Sequence, residues 1–157
     1  MKRIYLISLL VLPTSVMAQS PVRETVAYSR KTNSGIPGNN PFPTSYYIYV
    51  VIQRGVAISL RGVCLQGTRY GASLRRVAAP VVIERDVGVP TGKKDTLVEK
   101  TPDDVYEVAI TQPEGSCGKD EEDLARRHEV VVCLASGASR WYGLVTKIVS
   151  LPPAAAM

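Results

Sequence analysis

From Ser45 onward, apolar side chains recur at every second position, the period of a β-strand. Tyr46, Ile48, Val50 and Ile52 fall on one face, and Tyr47, Tyr49 and Val51 on the other. Both faces are apolar, which predicts a central strand covered on both sides. Residues 57–66 and 68–76 read as the next two strands, and Gln66-Gly67 between them predicts a tight hairpin. Residues 80–86 put Val81 and Ile83 on one face and Glu84 on the other. A loop is expected over 88–94 and a weak strand over 95–99. In 104–111, Tyr106, Val108 and Ile110 point inward and Glu107 outward, and 112–119 reads as a turn-rich loop. The last hairpin joins 129–135 to 140–150 through Ser136-Gly137-Ala138-Ser139. Val130, Val132 and Leu134 are expected to face the core, together with Tyr142, Leu144 and Ile148.

The flanks are less regular. Val22, Glu24, Val26 and Tyr28 share one parity, which suits a short strand over 22–29. Asn33-Ser34-Gly35, Pro37-Gly38 and Asn39-Asn40-Pro41 mark a loop over 31–44. Residues 120–128 depart from the period of two. Glu122 with Arg126 and Asp123 with Arg127 are i,i+4 pairs in the favourable order, so a short surface helix is expected there. Short strands, Gly-rich turns and almost no helix predict an all-β fold, a single antiparallel β-sandwich of Ig-like type or a small barrel. The expected division is a flexible segment over 19–44, one β-domain over 45–151 and a frayed end over 152–157.

The first eighteen residues follow other rules. Lys2 and Arg3 precede an apolar run over 4–12, and Val16-Met17-Ala18 offers small or modest side chains to a signal peptidase. This order predicts a cleaved secretory signal peptide over 1–18 and an exported product, periplasmic or extracellular. The run falls short of the ~20 residues that span a bilayer, and no later run is long enough. Of the formal charge of +5, Lys2 and Arg3 supply two. The remaining excess is mild. Arg61, Arg69, Arg75 and Arg76 suggest a basic face, but carboxylates balance them, which argues against nucleic acid as a partner.

Candidate chemistry is sparse. Export permits a disulfide, and Cys64, Cys117 and Cys133 all lie beyond the signal peptide. A Cys117–Cys133 bridge is the favoured pairing, because a loop cysteine moves easily to meet a strand cysteine. Cys64–Cys133 across adjacent strands, or three free thiols, are the alternatives. His128 is the lone histidine, and no C-x₂₋₄-C pair accompanies it, so neither a metal site nor another cofactor is expected. No G-x-S-x-G motif is present, and neither Cys64 nor Cys117 lies in a nucleophile motif. The acidic run 120–123 lacks the alternation and glycine of a calcium loop and reads as a solvated charged loop.

The aromatics are the most suggestive group. Tyr47, Tyr49, Tyr70 and Trp141, if exposed on one face, would form a stacking platform for sugar rings or peptide. Ordinary strand composition is the preferred explanation, because Tyr and Trp favour strands anyway. These features favour a non-catalytic binding module of the cell envelope or periplasm, its partner an envelope protein or glycan. The alternatives are a carbohydrate-binding module or small glycan-active enzyme, and a thiol-dependent redox protein.

Overall fold

The computed structural model describes residues 19–33, 44–85 and 92–155. The expected signal peptide over 1–18, most of the 31–44 loop and the last two residues lie outside the described residues, as do residues 86–91. The chain forms β1 (Val22–Asn33), β2 (Thr44–Ile52), β3 (Ser59–Leu65), β4 (Thr68–Val77), β5 (Val81–Glu84), β6 (Lys94–Val98) and β7 (Asp104–Ser116). Helix α1 (Lys119–Ala125) is followed by β8 (Val130–Ser136), β9 (Ser139–Val145), β10 (Val149–Ser150) and β11 (Ala154–Ala155).

One large sheet runs in the order β10-β1-β2-β7-β4-β3-β8-β9, with β11 also on β1, and β5–β6 make a separate two-stranded sheet. Among the described residues of the large sheet, only β10 and β11 run parallel to their neighbour. The sheet curls until β9 returns to β1. A Cβ on Gly143 of β9 would meet Thr25 Oγ1 of β1 at 2.5 Å, so glycine permits this approach. Helix α1 is the crossover from β7 to β8, at the surface, and has no buried residue.

The predicted two-sided strand is β2. Ile48, Val50 and Ile52 enter an inner core with Val63, Leu65, Val108, Val130, Val132 and Leu134. Tyr49 and Val51 enter an outer core with Leu97, Val98 and Val105, under the β5–β6 hairpin. Strand β8 is buried at every position from Val130 to Ala135, since β3 and β9 pair with its two edges.

Five expectations need correction. The β-domain does not start at Ser45, because β1 pairs with β2 from Val22 to Lys31. A register shift between Val22 and Glu24 also breaks the expected parity: Val22 packs on the inner core, Val26 and Tyr28 on the outer. The chain end is docked as far as residue 155, with Ala154 buried and β11 paired to β1. Residues 112–116 continue β7 rather than forming a loop, since β4 pairs with them through Thr68–Ser116 and Arg69–Gly115. On β9 the inward parity is Trp141, Gly143 and Val145. The tight turn at Gly137-Ala138 pairs Leu134 with Trp141, which turns Tyr142 and Leu144 outward.

Candidate functional site

A cleft of about 650 Å³ lies between the start of α1, strands β3 and β4, and the β8–β9 turn. Its position follows from chain geometry. Strand β7 runs beside β4 to Ser116, and the chain then turns at Gly118 into α1, which lies over the outward faces of β3 and β8. Asp120, Glu121 and Glu122 stand in the first turn of α1, where the helix dipole favours carboxylates. Glu121 also accepts the Gly118 backbone N–H at 2.9 Å, closing that end of the helix.

Glu121 is the hub of the cleft. Its Oε2 lies 3.3 Å from Arg69 Nη1 and 4.0 Å from Cys64 Sγ, and its side chain is 12 % exposed. Arg69 crosses over Gly62, where a Cβ would stand 2.7 Å from Nη2, and donates to the Arg61 carbonyl at 3.0 Å. A second carboxylate, Glu114, approaches Arg69 Nε at 3.8 Å. Arg69 is therefore fixed by partners. Arg140 pairs with Asp120 at 2.9 Å, but both side chains are well exposed, so water screens this pair. Arg61 and Lys119 are exposed, and neither side chain has an ion pair among the described residues. Four cations thus line the cleft against two carboxylates, and two of the cations are uncommitted.

The cysteines correct the favoured pairing. Cys64 is bridged to Cys117, with their Cα atoms 5.8 Å apart, and Cys133 is a buried free thiol at the cleft. Register explains the choice: Cys64 pairs with Arg69, and Arg69 pairs with Gly115, so β4 brings Cys117 beside Cys64. Cys133 faces Glu121 instead. Burial raises the pKa of its thiol, and the Glu121 charge raises it further.

The four aromatics do not share a platform. Tyr49 is buried in the outer core, and Tyr47 packs on that core beside it. Burial, aided by the Glu107 charge, pushes the Tyr49 hydroxyl up to about 12. Tyr70 and Trp141 pack on the inner core instead. His128 stands after α1 with Nδ1 3.3 Å from Thr146 Oγ1. Among the described residues no group of three or more His, Cys, Asp or Glu is arranged to hold a metal ion, and no helix is long and apolar enough to cross a membrane.

Of the four arginines expected to form one basic face, Arg61 and Arg69 reach the cleft. Arg75 pairs with Glu107 and Arg76 with Asp104, away from it. Lys119 and Arg140 were not singled out from the sequence, and Glu121 was read only as part of a solvated acidic run, whereas it lies in α1 with its side chain turned into the cleft. A glycine followed three residues later by Glu, at Gly118 and Glu121, carried a helix-start signal that gave Glu121 an inward role. Comparison with family models, with curated proteins and with solved structures finds no match, so any function has to be argued from the cleft.

Proposed function

We propose that the protein is a non-catalytic β-domain, built as a small barrel, that binds an acidic segment of a partner protein in the cleft beside α1. The observation that carries this reading is the pair of uncommitted cations, Arg61 and Lys119, on a concave wall. Arg69 and Glu121, already locked together, supply a rigid floor. A cleft of this size accepts a few residues of peptide, and a carboxylate there would meet guanidinium and ammonium donors without displacing an existing pair. The split of the aromatics between two cores does not favour a sugar-stacking platform. The Cys64–Cys117 bridge is compatible with the oxidising compartment that export implies.

Titration calorimetry with a short polyglutamate peptide tests the reading. Binding is expected at low salt, with affinity falling as salt is added. The Arg61→Ala, Lys119→Ala double variant is expected to bind about tenfold more weakly, equivalent to about 1.4 kcal/mol. No binding by the unsubstituted protein, or equal binding by the double variant, would sink the proposal.

A further inference from the structure

The cleft carries a second arrangement whose working does not depend on an anion being bound there. Strands β3 and β8 are paired antiparallel with Gly62 opposite Cys133 and Cys64 opposite Val131. Cys64 and Cys133 therefore lie on the same face, as diagonal neighbours. That face points away from the inner core, whose residues on these strands are Val63, Leu65, Val132 and Leu134. Gly62 puts no side chain beside Cys133, so nothing branches from β3 at the position directly across. Both residues are buried, Cys64 2 % and Cys133 4 % exposed, with Cys133 on the lining of the cleft. Glu121 stands beside both: Oε2 lies 4.0 Å from Cys64 Sγ, and Glu121 and Cys133 line the same cleft, where the Glu121 charge adds to burial in raising the thiol's pKa.

A free thiol, a disulfide sulfur on its own face and a carboxylate beside them are the parts of a thiol–disulfide exchange. We infer that Cys133 exchanges with the Cys64–Cys117 bridge, forming Cys64–Cys133 and releasing Cys117 as a surface thiol. The Cys133 proton passes to the Glu121 carboxylate. The Cys133 sulfur bonds to Cys64 Sγ as the Cys64–Cys117 bond breaks, and the electron pair leaves on Cys117 sulfur. That thiolate then takes up the proton. One disulfide replaces another, so no external oxidant or reductant is consumed.

Diagonal neighbours stand about 7–8 Å apart at Cα, and a disulfide spans up to ~6.8 Å. The strands must therefore draw together by roughly 1 Å. The register shift between Leu60 and Gly62 puts an irregularity in β3 just before the pairing that has to adjust. Burial and the Glu121 charge keep the Cys133 thiol protonated at rest, so the exchange begins with loss of that proton to the neighbouring carboxylate, since the thiolate is the attacking form. The product differs from the starting form in a useful way. Cys117 is half-buried at a shallow second cleft of about 330 Å³, lined also by Gly67, Ser116, Glu122 and Arg126. The exchange converts a buried thiol into a more exposed one that a partner's disulfide can reach.

Labelling the oxidised, folded protein with N-ethylmaleimide at pH 8 and mapping the modified peptides tests this directly. The expected label is on Cys117, with Cys64–Cys133 recovered as the bridged peptide pair. In Cys133→Ser, and in Cys133→Ala as a second variant against misfolding, Cys117 is expected to stay unlabelled. Glu121→Gln is expected to slow labelling of Cys117 by about tenfold or more. Label confined to Cys133, no label at all, or label on Cys117 in either Cys133 variant would each overturn the inference. Peptide binding in the same cleft reads out separately, so failure of one idea leaves the other standing.

Discussion

The inner and outer cores share strands β2 and β7 but are closed in different ways. The inner core is closed by the large sheet curling on itself, and its wall is continuous pairing from β1 round to β9. The outer core is closed by the β5–β6 hairpin, which forms its own two-stranded sheet and has no ladder to the large one. A lone two-stranded hairpin is marginal in water. Here side chains hold it down. Buried Arg30 of β1 donates to the Glu84 carbonyl at 2.9 Å and also to the Arg85 carbonyl, and Tyr28 donates its hydroxyl to the Leu97 carbonyl at 2.9 Å. Shape closes one core and polar tethers close the other. The first should fail as a whole and the second locally.

The largest effect expected from breaking that contrast is in the inner core. Leu134 is fully buried and lies opposite Trp141, the single tryptophan. Leu134→Ala removes apolar contacts and leaves a cavity in a wall that is paired on both edges, so a loss of about 2–5 kcal/mol is expected. Urea unfolding followed by Trp141 fluorescence should show one transition moved to lower denaturant. A loss below about 1 kcal/mol would mean that the inner core collapses around the gap and is not held by shape.

Arg30→Met should sharpen the contrast from the other side. Methionine keeps most of the apolar stem but abandons two carbonyls, and hydrogen bonds from a charged donor are worth about 1.5–3 kcal/mol. The loss should appear as faster amide exchange in β5 and β6 while the Trp141 transition moves little. If the two cores shift together, the hairpin is an integral part of one cooperative unit and the distinction between them fails.

The inner core was legible in the alternation of apolar residues, because burial on one or both faces is what that pattern encodes. Strand β2 shows it best: the two apolar faces predicted from Tyr46 to Ile52 are the faces of the two cores. The tethers of the outer core were not legible. Arg30 stands beside Lys31 in a run of polar residues with nothing to mark it out, and only the return of Glu84 and Arg85 across 54 residues makes it structural. The cleft fails to show for the same reason. Its parts come from β3, β4, α1 and the β8–β9 turn. The expected hairpin has the observed register, with Ala135 opposite Arg140 and Leu134 opposite Trp141, so the face of Leu134 continues into Trp141 and not into Tyr142, and parity offers no tolerance.

The smallest effect is a pH dependence that should be confined to the hairpin. Arg85 holds Asp95 through two bonds, Nη2 to Oδ1 at 2.6 Å and Nε to Oδ2 at 3.3 Å. The hydrogen bonding from Arg85 is the main cause that lowers the Asp95 pKa below its ordinary value, and the charge of Arg85 and then that of Arg30 assist. A carboxylate whose folded pKa lies below its unfolded value stabilises the fold fully above the unfolded value, about 3.9. That contribution fades as pH falls through the folded value, where the folded form takes up the proton as well. Amide exchange in β5 and β6, corrected for its intrinsic pH dependence, should therefore accelerate below about pH 4, before the inner core opens. Asp95→Asn should remove that acid step and leave exchange already elevated at neutral pH. An acid step of the same size in β8 as in β6 would show that protonation acts on the whole molecule rather than on the tethered hairpin.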